Sequence, residues 1–421
     1  MSTAPTAKPK TDPIIARHDR YMTGNYPRFP IAIASGKGCQ VTDADGRGYL
    51  DLFAGFGAGI LGHAHEDLVT AATKQASKLW HVGNLLHTEP QTHLAQAIAE
   101  KGFNGRSFFC HAGADANEAA IKLARLHGKQ HPGKATGEWG RYKIISTTQS
   151  FHGRSFATMG ATGNPAVRQG FEPIVPGFVN VAYNDIDAVK AELDDETIAI
   201  IAEPVQGEGG VNVPAADYFA MLRKLCDEHD LLLIADEVWT GCGRTGKWFA
   251  YQHWGIEPDI MTLGKAVGCG LALGVMCVAD RWASYFDAKH MGRVTHATTL
   301  GGNCVTTAVA ARMFEVLERD ELVDRAASAG EAMQARLNKF AAKHPVIKDV
   351  RGRGLFLGIE LDPEAEGASF ETGADVVKAC LERGVMINAT QGTVLRLAPP
   401  LTISDEEIDE GLSVIEQVLA E

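Results

Sequence analysis

The segment LLLIADEVWTG, residues 231–241, joins an apolar run to two adjacent carboxylates. Its first five residues are apolar, which is typical of a strand buried on both faces of a parallel sheet. Asp236 and Glu237 follow directly, and burying a carboxylate is costly unless a cation meets it. The segment therefore predicts a buried strand that ends at a positive group, supplied either by the protein or by a ligand.

Similar apolar runs recur along residues 105–280 and alternate with helical stretches. RSFFC, YKIIS, TIAIIA, DIMTL and LGVMCV are strand-like, and ADANEAAIKLARLHGKQH is a helical stretch between two of them. This alternation predicts an α/β fold with a mostly parallel sheet covered by helices on both faces. With 421 residues, the chain is long enough for two domains.

The regions on either side have a different pattern. GCQVTDADGRGYLDLFAG predicts a β-hairpin that turns at Asp45 and Gly46. Beyond Asn303, a long helical stretch runs towards Lys343, followed by a strand-like GRGLFLGIEL and a helical GADVVKACLERG. We therefore predict an N-terminal segment (1–50) that packs with the small domain, a large domain (51–303) and a small C-terminal α+β domain (304–421).

Composition argues against several classes of protein. The 52 acidic and 40 basic side chains give a net charge of −12, so neither nucleic acid nor a membrane surface is expected as a partner. The polar N-terminus lacks a signal-peptide core, and no apolar run approaches membrane-spanning length. The eight cysteines form no C-x-x-C pair, so we expect no metal site and a cytoplasmic location.

One short motif points to a different chemistry. GCGRTG, residues 241–246, matches the G-x-G-x-x-G pattern of dinucleotide binding. That pattern needs its glycines in the turn directly after a strand and at the start of a helix. Here DEVW comes first and the aromatic KWFAYQHW follows, so we do not predict a dinucleotide site.

Other residues at the predicted strand ends form a more informative set, because ligands bind there in open α/β sheets. Gly113 and Ala114 open a helix whose N–H groups suit a phosphate, although an ordinary tight turn has the same pattern. Phe151 is either a platform for ring stacking or a core residue. Lys265 stands among small residues that would lower its pKa and favour a neutral amine, unless it is a surface lysine.

Together with Asp236, these residues match one cofactor, pyridoxal 5′-phosphate (PLP). Lys265 would hold its aldehyde covalently, and Asp236 would pair with the protonated pyridine nitrogen and keep the ring an electron sink. The positive group at the end of the 231–241 segment would then belong to the cofactor. Glu237 is assigned a structural role.

A family resemblance extends over nearly the whole chain. It is carried, in this order, by FFCHAGADANEAAIKLAR, SFHGRSFATMGATG, AEPVQGEGGV, ADEVWTGCGRTG, TLGKAVGCGLALG, THATTLGGN and VLRLAPPL. The sequence resembles the class-III (subgroup III) aminotransferases, which are PLP-dependent transferases of fold type I. GHAHEDL and GNLLHTEPQ resemble the acetylornithine/ornithine aminotransferase branch in particular. The resemblance implies a large domain with a mostly parallel seven-stranded sheet and a smaller α+β domain.

The resemblance also implies further contacts with the cofactor. His152 follows Phe151 in the FHGR motif and is included in the cofactor site. Thr299, in THATTLGGN, matches a threonine that contacts the cofactor phosphate from the neighbouring subunit. The chain is therefore expected to form a homodimer with shared active sites.

Substrate-binding residues are implied in the same way. Arg396, in VLRLAPP, matches the arginine that binds the substrate carboxylate, and Glu208 matches the acid that pairs with it. Arg154 matches the arginine that takes the distal carboxylate, and Tyr26 aligns with a substrate-contacting tyrosine. The Arg396–Glu208 pair would act as a switch, closed for a terminal amine and open for the α-carboxylate of glutamate.

The activity that the resemblance implies is ping-pong transamination, with Lys265 as general base and Asp236 and Glu208 as the other catalytic residues. The terminal amine of an acylated ornithine, acetylornithine in the first place, would pass to 2-oxoglutarate. Succinylornithine, ornithine and 4-aminobutyrate are alternative donors. A PLP-dependent mutase or decarboxylase and a non-catalytic binding protein are alternatives of another class. The presence of both Arg154 and Arg396 favours transamination.

The sequence departs from the family pattern in four places, in one of which Asp115 stands where glutamate is usual. Ala112 replaces a serine before the phosphate-binding helix, which removes one hydroxyl donor. Trp239 replaces a glutamine close to the cofactor ring, and GFGAG, residues 55–59, replaces a more branched segment of the substrate site. These changes leave the cofactor residues in place but are expected to reshape the pocket.

Overall fold

A computed structural model describes residues 10–421 of the chain. Its strands are β1 (Ile33–Lys37), β2 (Gln40–Asp43), β3 (Gly48–Asp51), β4 (Gly105–Cys110), β5 (Lys143–Thr147), β6 (Phe178–Val181), β7 (Thr197–Ala202), β8 (Leu232–Asp236), β9 (Ile260–Leu263), β10 (Gly274–Ala279), β11 (Ile347–Arg353), β12 (Phe356–Leu361), β13 (Val385–Met386), β14 (Asn388–Thr390) and β15 (Val394–Leu397).

The α-helices are α1 (Thr11–Tyr21), α2 (Ala54–Gly57), α3 (Glu66–Ala76), α4 (Glu89–Lys101), α5 (Gly113–Gln130), α6 (Phe156–Ala161), α7 (Ile186–Ala191), α8 (Tyr218–Glu228), α9 (Ala288–Met291), α10 (Cys304–Arg319), α11 (Leu322–Ala341), α12 (Gly373–Glu382) and α13 (Asp405–Ala420). Short 3-10 helices span Pro165–Val167, Ala250–Trp254, Lys265–Gly268 and Asp280–Phe286.

The central sheet has seven strands in the order β4-β10-β9-β8-β7-β5-β6. All neighbouring strands are parallel except that β10 is antiparallel to both β4 and β9. The prediction of a mostly parallel seven-stranded sheet is therefore confirmed. The 231–241 segment supplies β8, which is buried along its whole length near the middle of the sheet.

Helices cover the two faces of this sheet because alternate strand residues point to opposite sides. On one face, Ile234 of β8 belongs to the same apolar cluster as Leu123 of α5. On the other face, Leu233 clusters with Phe219 and Leu222 of α8. This double coverage explains why β8 is a continuous apolar run rather than an alternating one.

Two smaller sheets flank the central one. The first has the order β1-β2-β3-β13, and β2 and β3 form the predicted hairpin. The parallel pairing of β3 with β13 joins the N-terminal strands to the C-terminal part of the chain. The second sheet, β11-β12-β15-β14, is antiparallel. The division at residues 50 and 303 stays a prediction, and residues 1–9 of its first part lie outside the described range.

The helical stretch predicted from Asn303 towards Lys343 is two helices, α10 and α11. They are separated at Asp320 and Glu321, and Glu321 has a φ of 52°, in the left-handed region. A left-handed residue cannot continue an α-helix, so the chain turns between them. Periodicity alone does not show such a break, because both helices have the same apolar spacing.

The functional consequence of the fold lies at one edge of the central sheet. β4, β5, β7, β8 and β9 run in the same direction, so their carboxyl ends meet there. In chain order, the ends of these strands and the segments that follow them carry Gly113, Phe151, Glu203, Asp236 and Lys265. The sheet thus gathers residues that lie far apart in the sequence.

Candidate active site

A cavity of about 540 Å³ opens at this edge, within the size range of small-molecule sites. Seven of the cofactor-binding and substrate-binding residues predicted from the sequence line it: Gly113, Ala114, Phe151, His152, Arg154, Asp236 and Lys265. Asn117, on the second turn of α5, also lines the cavity and was not identified from the sequence. Glu208 and Arg396 form a pair beside it.

Asp236 sits at the end of β8 in a network of short hydrogen bonds. Its Oδ2 accepts from Asn117 Nδ2 at 2.7 Å and lies 2.7 Å from His152 Nδ1. His152 is itself fixed, because its Nε2 lies 3.1 Å from the hydroxyl of Ser146. Among residues 10–421, His152 is the only ion-pair partner of Asp236 within 4.0 Å. A carboxylate that is 2 % exposed is thus oriented by the protein without a lysine or arginine partner.

Lys265 begins the 3-10 helix that follows β9 and has a φ of 45°, an uncommon value for a side chain of this size. Its Nζ lies 4.3 Å from the ring centroid of Trp239. Burial lowers the pKa of this amine to about 8, although the negative charges of Glu208 and Asp236 act in the opposite direction. The amine is therefore neutral, and nucleophilic, at a milder pH than a surface lysine.

The loop of Lys265 and the start of α5 are in close backbone contact. A Cβ atom added to Gly264 would lie 2.8 Å from the backbone nitrogen of Gly113. Ala112, the N-cap of this 18-residue helix, makes no side-chain capping bond. The helix therefore presents backbone N–H groups and the positive end of its dipole to the cavity, which suits an anion.

Arg396 forms an ion pair with Glu208, and only the arginine is fully buried. Arg396 Nη1 lies 3.0 Å from Glu208 Oε1, and Arg396 is 1 % exposed. The guanidinium also donates to the carbonyl of Gly207 at 3.0 Å and to Asn388 Oδ1 at 2.8 Å. Burial alone would raise the pKa of Glu208, but Arg396 and Lys265 hold it below its usual value. The pair predicted from the sequence is thus closed in this structure.

Trp239 joins this pair to the amine of Lys265. Its Nε1 donates to Glu208 Oε1 at 3.3 Å, and its ring centroid lies 4.5 Å from Cζ of Arg396. The indole is 4 % exposed. The position at which the sequence departs from the family pattern therefore contacts three of the proposed functional residues.

Two further buried acids were not assigned to the site. Glu203 accepts from the backbone N–H of Phe151 at 3.0 Å and of Gly207 at 3.1 Å, so it ties the loop of the aromatic ring to the loop of Glu208. Burial raises its pKa to about 7. Its position at the carboxyl end of β7 was the available signal. Glu237 accepts from Tyr251 N at 2.7 Å and from Thr240, and it lies away from the cavity.

The remaining residues implied by the resemblance are more exposed. Arg154 lies on the cavity wall, with its guanidinium carbon 5.9 Å from the ring centroid of Phe151. Tyr26 is 66 % exposed and lines a separate groove, which it shares with Phe53, Phe56 and Asn388. Thr299 is on the surface. Their roles stay predictions.

Comparisons with known proteins identify the family of the chain. The family profile Aminotransferase class-III matches residues 21–419. The chain belongs to the class-III aminotransferase family. The acetylornithine aminotransferase of Caldanaerobacter subterraneus subsp. tengcongensis is 41% identical to this aminotransferase over 409 residues, which cover 97% of this chain and 99% of that protein.

Other similar proteins are also aminotransferases by name. A Pseudomonas aeruginosa protein named succinylornithine transaminase/acetylornithine aminotransferase is 40% identical over 96% of both chains. A crystal structure of the ornithine aminotransferase from Toxoplasma gondii, in which PLP partly occupies the active site, superposes with a TM-score of 0.90. It is 31% identical and covers 98% of this chain and 95% of that one.

This aminotransferase is a PLP-dependent transferase. The residues present fit the cofactor, because an oriented carboxylate, an amine of lowered pKa and an open helix N-terminus line one cavity. Within residues 10–421, no group of three or more His, Cys, Asp or Glu is arranged to hold a metal ion. No helix of that range combines the length and apolar character needed to cross a membrane.

Proposed function

We propose that this aminotransferase moves the terminal amine of N-acetylornithine to 2-oxoglutarate in a ping-pong reaction. The observation that carries the proposal is the closed Arg396–Glu208 pair beside the amine of Lys265, with Arg154 on the cavity wall. Two arginines allow one site to handle substrates with a carboxylate near the reacting carbon or far from it. The names of the relatives support acetylornithine as the donor.

The residues that would hold the cofactor follow from their positions. The N–H groups at Gly113 and Ala114 would take the phosphate, and Phe151 would cover one face of the ring. Asp236, oriented by His152, would face the ring nitrogen. When bound, PLP supplies an electron sink for the electron pair released at the amine-bearing carbon.

Lys265 is the proposed general base. Its amine, with a pKa of about 8, would accept a proton from the amine-bearing carbon of the substrate and deliver it to the carbon of PLP that carries the aldehyde in the free cofactor. The ring of Trp239 covers this nitrogen on one side. The lowered pKa is useful because proton transfer is most efficient when the pKa of the base is near the working pH.

Glu208 and Arg396 would act as the substrate switch. While the pair is closed, the charge of Arg396 is neutralised, and a terminal amine reaches the cavity with its far carboxylate on Arg154. When Glu208 moves away, Arg396 is free to bind the α-carboxylate of glutamate or 2-oxoglutarate. Asn388 and the carbonyl of Gly207 would hold the guanidinium in place while the pair is open.

We also propose a homodimer with shared active sites. Trp80, Leu85 and Leu86 are 67%, 100% and 61% exposed, and Leu300 is 52% exposed. Their segments touch, because Asn84 donates to the carbonyl of Gly301 at 2.9 Å. A cluster of four exposed, large apolar side chains is typical of a subunit interface. One of the four, Leu300, is next to Thr299 in the sequence. All eight cysteines are free thiols, which supports a reducing compartment such as the cytoplasm.

A panel of amine donors tests the substrate assignment. We expect kcat/KM with 2-oxoglutarate to be highest for N-acetylornithine, followed by N-succinylornithine, and lower for ornithine and 4-aminobutyrate. Arg154→Gln should lower kcat/KM for the acylated donors about a hundredfold through the loss of a charged pair. A higher kcat/KM for ornithine would instead favour the second candidate, an ornithine aminotransferase, which the Toxoplasma gondii fold similarity also supports.

A further inference from the structure

The environment of Trp239 shows how its bulk is accommodated. A Cβ atom on Gly57 would lie 2.7 Å from the indole Cζ3, and one on Gly207 would lie 2.3 Å from its Cδ1. On one side, the ring stacks on Phe356 with a centroid distance of 5.0 Å and an angle of 7°. The indole therefore fills a slot that only glycine at both positions leaves open.

Two departures from the family pattern that are far apart in the sequence are thus in direct contact in the structure. Gly57 belongs to the GFGAG segment and Trp239 to ADEVWTG, 182 positions later by their numbers, yet the two residues are in contact. A large residue at one position and the smallest at the other preserve the packing of the site. Trp239 is therefore built into this site, and its orientation is fixed from several sides.

The fixed orientation directs the indole N–H at the switch. Glu208 Oε1 is paired with Arg396 Nη1, 3.0 Å away, and also accepts a hydrogen bond from Trp239 Nε1 at 3.3 Å. Opening the pair requires Glu208 to leave both donors. The stacking of Arg396 on the indole does not oppose opening, because the guanidinium can stay on the ring while Glu208 moves. The N–H bond is the contribution specific to the closed state.

We propose that Trp239 is a specificity-determining residue that holds the Arg396–Glu208 pair closed, and so favours donors without a carboxylate on the reacting carbon. Terminal amines enter while the pair is closed, whereas glutamate and 2-oxoglutarate need it open. A hydrogen bond to a carboxylate corresponds to about tenfold in such an equilibrium, at the lower end of its range because 3.3 Å is long. The inference rests on the switch described under the proposed function.

Trp239→Phe is the informative variant, because it keeps an aromatic ring in the slot and removes the N–H donor together with part of the indole's volume. The dissociation constant of glutarate, a dicarboxylate that cannot react, is measured on the holoenzyme by calorimetry alongside KM for 2-oxoglutarate and for acetylornithine. We expect glutarate to bind about tenfold more tightly and KM for 2-oxoglutarate to fall by a similar factor. KM for acetylornithine should not fall, because this donor enters while the pair is closed. A rise in all three constants would mean a purely structural role and would overturn the proposal.

Glu208→Gln separates this inference from the switch itself. If the switch exists, Glu208→Gln alone tightens glutarate binding, and Trp239→Phe adds less in that background because the neutral amide oxygen of glutamine is a weaker acceptor for the indole N–H than a carboxylate. Unchanged glutarate binding in Glu208→Gln would reject the switch and with it the proposed function of the pair. Tighter binding in Glu208→Gln together with no effect of Trp239→Phe in the parent enzyme would reject only the role of Trp239.

Discussion

Gly264→Ala tests whether the contact between the loop of Lys265 and the N-terminus of α5, the proposed phosphate site, is functional. The new methyl group would lie 2.8 Å from the nitrogen and 2.9 Å from the Cα of Gly113, and 3.1 Å from Cγ1 of Val238. Gly264 has extended backbone angles, φ −161° and ψ −160°, so no left-handed strain is involved. Two of the three contacts are to backbone, which cannot rotate away.

The magnitude follows from these distances. Carbon atoms pack best at about 3.5–4.0 Å, so the two segments must separate by roughly half an ångström or more. Overpacking of this kind costs about 1–3 kcal/mol. Because Lys265 and Gly113 would hold opposite ends of the cofactor, we expect part of that cost to appear as weaker binding. A loss of 1–3 kcal/mol corresponds to a Kd for PLP about 5-fold to 150-fold higher.

The assay is titration of the apoprotein with PLP, followed by tryptophan fluorescence. Gly268→Ala is the matched control, because it ends the short helix that Gly264 precedes and its Cβ would meet Leu273 at an ordinary 3.4 Å or more. We expect Gly268→Ala to bind PLP like the parent protein. If Gly264→Ala and its control bind PLP equally well, the close contact does not shape the cofactor site and the reasoning fails.

Three further predictions follow from single side chains. Uptake of PLP by the apoprotein should accelerate with pH through a midpoint near 8, because only the neutral amine of Lys265 reacts; a midpoint near the usual 10.5 would contradict the role of burial. Burial raises the pKa of Glu237 from 4.5 to about 7, so the native state binds more protons and stability is lost as the pH rises across that window. As the pH rises from 4.5 to 7, the Tm of Glu237→Gln should therefore increase relative to the Tm of the parent protein. A Tm difference that stays constant over this range would refute the prediction. Asn117→Ala removes a donor 2.7 Å from Asp236 and should raise Kd for PLP about tenfold, whereas an unchanged Kd would show that His152 alone orients the carboxylate.

The main features of the fold could be predicted from the sequence because they depend on local patterns. A continuous apolar run such as 231–235 is compatible with a sheet covered on both faces, and the alternation with helices indicates parallel strands. Parallel strands bring their carboxyl ends to one edge, so Gly113, Asp236 and Lys265 could be placed near each other before their distances were known. The break between α10 and α11 was not predictable, since it depends on one left-handed residue.

The fine structure of the site depends on contacts between distant segments and could not be predicted. Asn117 stands in an alanine-rich helix, and nothing in the helical pattern distinguishes it from an ordinary buried amide until β8 is packed beside it. Trp239 was recognised as a departure, but its contact with Gly57 requires the full fold. Glu203 shows the same limit, because its two backbone partners, Phe151 and Gly207, come from different loops.

Chemical trapping tests the central claim most directly. The holoenzyme is reduced with borohydride, digested and mapped by mass spectrometry, with Lys265→Ala treated in parallel. We expect the mass of the reduced cofactor on the peptide that contains Lys265, and no label in the variant. A label on any other lysine, or equal labelling of Lys265→Ala, would contradict the assignment of this cavity as the cofactor site.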